Sequence, residues 1–195
     1  MAVAAAPQEQ NSARLAPVET RYAPLFCFGL LVASCALASF ALACATPFAA
    51  FAVIAAAMLS LPLALVVVTG AWLVNQTIGF GFLHYPIDAS TIAWGFVIGA
   101  AALAATATAK GVLQAMRRSV SAVALSMALS MALVGAYAAY EIVLFAATPF
   151  LGGAGSFTVK IVGYIGLLSV FWTIGLVAAC EITKLLGAML RRKAV

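Results

Sequence analysis

Apolar residues run in long stretches along this chain, and polar or helix-breaking residues fall between them at intervals. A helix needs about 20 mostly apolar residues to cross the hydrocarbon core of a bilayer. The first stretch of that length runs from about Pro24 to Ala45. Thr46-Pro47 ends it, because proline lacks the N–H a helix uses and disfavours helical geometry in its predecessor. The second runs from Phe48 to Asn75 and contains Pro62, where a kink is expected. Neighbouring helices can tolerate such a kink inside a membrane. Three more stretches run from Thr91 to Ala109, Val120 to Phe145 and Thr158 to Leu186. The pattern predicts an all-α, polytopic transmembrane helical bundle of about five spans. A sixth span would require the 24–75 region to split into three very short helices, and that alternative stays open.

The breaks between spans differ in character. Residues 75–90 mix glycine, aromatic and polar residues, and Phe80, Phe82, Leu83 and Tyr85 would be poorly placed in water. This segment is expected to fold back onto the helices as an outer loop, since non-helical backbone at membrane depth must lie against protein or a watery cavity. Thr148-Pro149 and Gly152-Gly153-Ala154-Gly155 read as the loop before the last span. Residues 1–21 read as a disordered polar tail, without the basic region that precedes a signal-peptide core, and 22–195 as a single transmembrane domain.

Composition sharpens this picture. Of the 195 residues, 66% are apolar and 8% charged, against about 25% charged in a soluble domain. The net charge of +5 does not point to nucleic acid, because the basic residues sit at the ends of apolar segments, where topology explains them. Lys110, Arg117 and Arg118 are read as one loop, with Lys184, Arg191, Arg192 and Lys193 at the C-terminus. By the positive-inside tendency both groups face the cytoplasm, in a bacterial cytoplasmic membrane. Five spans then place the N-terminus and the 75–90 and 148–157 loops outside.

Small residues recur every four positions, as in Gly95 and Gly99, in Ala52, Ala56, Ser60 and Ala64, and in Ala128, Ala132 and Ala136. Such stripes let helix backbones approach closely. They are expected to pack within the chain, with docking to other membrane subunits or a second copy as the alternative. Met127 and Met131 share a helical face but have no third soft ligand, so they read as flexible apolar filling. The four cysteines, Cys27, Cys35, Cys44 and Cys180, form no CxxC or Cys/His pair and read as packing residues.

Catalytic signatures such as GxSxG, HExxH or a Walker loop are absent from the sequence, and no cofactor is expected. What remains is a set of polar residues expected at one outer depth: Asn75, Gln76, His84, Tyr85, Asp88, Tyr137, Glu141 and Lys160. Glu141 and Asp88 would supply charge there, and Asn75, Gln76 and His84 directional hydrogen bonds. Alternatively, Trp72, Tyr85, Trp94, Tyr137 and Tyr140 form an interfacial aromatic belt, with Glu141 and Lys160 a solvated ion pair. In size and character the chain is similar to the small substrate-capture subunits of bacterial vitamin and metal uptake systems, which usually have six spans. The expected function is therefore a non-enzymatic transport component that binds a small polar solute, vitamin or metal ion on its outer face. The rival is a non-catalytic scaffold subunit of a larger membrane complex.

Overall fold

The computed structural model describes residues 15–42, 45–116 and 121–193, and among these it contains helices and no strands. The α-helices are α1 (Ala23–Leu42), α2 (Phe48–Met58), α3 (Leu61–Gly81), α4 (Ala89–Ala115), α5 (Ala122–Leu151) and α6 (Val159–Lys193). Five are long and apolar enough to cross a membrane; α2, with 11 residues, is the short one. The outer faces of the long helices carry exposed Leu25, Phe40, Val66, Phe96, Val134 and Phe171, a surface that belongs in lipid.

The expected kinked span over Phe48–Asn75 is instead two helices. Leu59 and Ser60 are extended, and Pro62 lies in the first turn of α3, where its missing N–H costs nothing. The chain reverses here rather than bending. Cys35 Sγ donates to the Ala71 carbonyl at 3.1 Å, and the Asn75 amide donates to Ser39 Oγ at 2.9 Å. Residue numbers rise together across these contacts, so α1 and α3 run parallel. The connecting helix α2 must therefore carry the chain back across the protein.

Every residue of α2 is buried, and it packs against each of the five long helices. Eleven helical residues cover only about 16 Å, less than the ~30 Å of hydrocarbon. The shortfall is tolerated because protein surrounds both ends of α2. At its C-terminal end the Lys110 ammonium, buried on α4, donates to the carbonyl of Ala56 at 2.7 Å and to that of Leu59. A cation at the negative end of the helix dipole satisfies carbonyls that the helix leaves free. At the other end the Asn75 amide donates to Thr46 Oγ1 at 3.0 Å and fixes the α1–α2 link.

The remaining helices alternate in direction. Trp72 Nε1 donates to the Gly95 carbonyl at 2.9 Å, and the Trp72 ring lies over Gly99, so α3 and α4 are antiparallel. Gly135 faces Thr108 and Val112, and Tyr137 of α5 donates to the Val162 carbonyl of α6 at 2.5 Å. Following these directions, the start of α1 and the end of α6 lie on the same face of the bundle. Five crossings alone would put the start of α1 and the end of α6 on opposite faces, and the short return through α2 accounts for the difference.

Other boundaries move as well. α4 continues past Lys110 to Ala115, so Lys110 belongs to the core rather than to a basic loop; Arg117 and Arg118 lie outside the described residues. α5 runs through Thr148-Pro149 to Leu151. Pro149 cannot donate to the Phe145 carbonyl, and the Thr148 hydroxyl donates there instead, at 2.8 Å. α3 persists to Gly81, which shortens the folded-back loop to residues 82–88. Within it His84 has φ +53°, and the Tyr85 N–H returns to the Gly79 carbonyl at 3.0 Å. The Ala128, Ala132 and Ala136 stripe is buried, as expected, whereas Met127 and Met131 are exposed on the outer surface of α5.

Candidate functional site

The site begins where α1 turns into α2. Thr46 is buried there and held by Asn75, and Asn75 Oδ1 in turn accepts from the Gln76 amide at 3.1 Å. These polar groups sit inside a span, so each must find a partner within the protein. Asn75 and Gln76 therefore link α1, α2 and α3 instead of presenting hydrogen bonds to a solute. Gln76 also packs on Gly95, where a Cβ would collide with its side-chain oxygen.

Beside Thr46 lies a cavity of about 200 Å³. Ala45 and Thr46 form one edge, Trp94 and Ile98 of α4 another, and Tyr140, Glu141 and Leu144 of α5 the floor. Gly153, Ser156 and Phe157 from the α5–α6 link, with Ile161, Val162 and Ile165 of α6, close it. Gly152 and Gly153 have φ of +79° and +87°, a left-handed pair that lets α5 end and the link fold back against Trp94. Tyr140 is buried and stacks on Phe48 at 6.4 Å, which ties the cavity floor to the first turn of α2. Tyr137, one turn before Glu141, anchors α6 through Val162, and its ring fills the space above Gly166.

Glu141 is the acidic group at this cavity. Its Oε1 is buried and accepts no hydrogen bond. The Tyr137 hydroxyl, 2.5 Å from the Val162 carbonyl, also lies within hydrogen-bonding reach of the Glu141 carboxyl, so Oε1 alone is left without a donor. Among the described residues no basic side chain lines the cavity. Ion pairs among the described residues join Arg21 to Glu19 and Lys184 to Glu181, so a Glu141–Lys160 pair is not formed. A buried carboxylate oxygen without a donor is costly. Groups kept at that cost inside a membrane mark a functional site by default.

Of the eight residues expected to gather at the outer level, Glu141 alone lines the cavity. Tyr137 and Asn75 support its walls from behind. His84 and Lys160 are exposed, and Tyr85 packs back on Gly79 and Phe80. Asp88 caps α4, accepting from the Thr91 N–H and hydroxyl at 2.9 Å each. These hydrogen bonds hold its carboxyl below the usual carboxylate range. The aromatic-belt alternative fails for Trp72, Tyr137 and Tyr140, which point into helix contacts. Trp94, Phe157 and Thr46 are lining residues that the sequence reading did not assign to the site. Among the described residues no three His, Cys, Asp or Glu side chains gather to hold a metal.

Comparison of the chain with protein-family models, with curated proteins and with solved structures returns no match.

Proposed function

We propose that this chain is a membrane transport component that captures a small solute in the cavity between α4, α5 and α6. The observation that carries the reading is Glu141, an acidic side chain at the wall of a cavity of about 200 Å³, with one carboxyl oxygen buried and without a hydrogen bond. A structural carboxylate would be expected to have a donor, and a binding carboxylate waits for one. The course of the chain supports the reading too. Counting α2, the chain crosses the bundle six times, the number usual for the substrate-capture subunits it is similar to in size. In this proposal the basic C-terminal end of α6 faces the cytoplasm, and the cavity, at the other end of the bundle, opens outward.

A scaffold role is favoured by one feature. α6 has 17% of its most apolar window buried, so most of its surface is open to lipid or to another helix. Thermal denaturation in mild detergent against a panel of small solutes separates the two. A capture subunit is stabilised by some solute in the native protein and not in Ile161→Trp, which fills the cavity. No stabilisation by any solute, with co-purification of one stable large complex, would establish the scaffold instead.

A further inference from the structure

Resting on the capture reading, we infer that the solute is a small organic monocation, a protonated amine on a hydrocarbon or single-ring body. The inference follows from what the cavity offers and what it lacks. Among the described residues Glu141 is the one acidic group that lines it, and no lysine, arginine or histidine does. An anion would meet a carboxylate and no counter-charge. A bare metal ion would need several oxygen, nitrogen or sulfur ligands, and no such cluster is present among the described residues. A sugar-like solute would need many directional partners, yet most of the wall is apolar. Thr46 Oγ1 already accepts from Asn75, which leaves few groups to satisfy a polyol.

An ammonium matches these walls. It would donate to the Glu141 carboxylate at the cavity wall, a charge-assisted hydrogen bond. Trp94, Tyr140 and Phe157 surround the same space, and aromatic faces attract cations, most strongly when desolvated. Size narrows the class further. A cavity of about 150 Å³ in another protein holds benzene, so about 200 Å³ admits one ring with a short amine arm. Pockets for drug-sized ligands run to about 300–1,000 Å³, more than this cavity provides.

Titration calorimetry of the purified protein in detergent tests this with three probes of one shape: 2-phenylethylammonium, 2-phenylethanol and phenylacetate. The native protein should bind the cation at least about tenfold more tightly than the alcohol or the acid. Glu141→Gln should weaken the cation by about 10- to 100-fold and the alcohol far less. Because micelle partitioning is the same for both proteins, that difference isolates the carboxylate. If the alcohol or the acid binds as well as the cation, and Ile161→Trp abolishes that binding, the cation class falls and the cavity stands as the capture site. If none of the three binds, the cation class falls, and the wider solute panel decides the capture reading separately.

Discussion

Lys110 and Glu141 are both turned toward the protein interior, yet their situations differ. The Lys110 ammonium is matched, donating to two carbonyls at the end of α2. Replacing it with methionine keeps much of the volume and removes the donor. Lys110→Met should lower unfolding free energy by about 1.5–3 kcal/mol, the range for a hydrogen bond to a charged group. Unchanged stability in a detergent denaturation series would mean that α2 needs no cap. Asp88 offers a pH-dependent counterpart outside the spans. Its carboxyl sits below the ordinary 3.8 because Thr91 donates to it. A depressed folded value means the stabilisation is full above 3.8 and fades as pH falls through the lower folded value. The melting-temperature gap between native protein and Asp88→Ala should therefore be constant at neutral pH and shrink in strong acid. A gap that grows on acidification would contradict the cap.

At the scale of the elements, the short helix α2 sets the architecture. Its ends were both marked in the sequence, by Thr46-Pro47 at one side and by Ser60-Leu61-Pro62 at the other. The second signal, an N-cap residue followed by proline in the first turn, is a helix start. Reading Pro62 as a kink missed this, because 11 residues look too short to cross a bilayer when lipid is assumed on all sides. Five surrounding helices remove that assumption. The small-residue pattern was more directly legible. Gly95 and Gly99 lie under Gln76 and Trp72 of α3, where a Cβ at Gly99 would come within 2.8 Å of the indole. Gly99→Leu should destabilise the bundle by about 1–3 kcal/mol or more through overpacking, while Leu103→Ala, on a more exposed position, should cost less. Equal thermal stability of the two variants would place Gly99 away from the α3 contact.

For the whole molecule, helix directions bring the start of α1 and the end of α6 to one face and leave the cavity at the other end. Glu141 was identifiable as an acidic residue inside a long apolar stretch. Its companions were not, because helical spacing shows which residues share a face of one helix and not which faces meet. Lys160 and Glu141 were placed at one level correctly enough to suggest a pair, but the Lys160 side chain is exposed and does not form one. Thr46, Trp94 and Phe157 come from three separate segments that only the packing of α4, α5 and α6 around α2 brings together. Reporter fusions at both ends of the chain should report the same compartment, and one inserted at Ala154 the other. Opposite compartments for the two ends would remove α2 as a crossing.

Accessibility of Glu141 from the face opposite the start of α1 and the end of α6 separates a capture site from a buried structural carboxyl. It is tested most directly by Glu141→Cys, in a background with Cys27, Cys35, Cys44 and Cys180 replaced by alanine. Intact spheroplasts are treated with a small, membrane-impermeant, thiol-reactive cation. Modification from outside before lysis is expected, with its loss when Ile161→Trp fills the cavity. Modification only after the membrane is opened, or equal modification with the cavity filled, would contradict it.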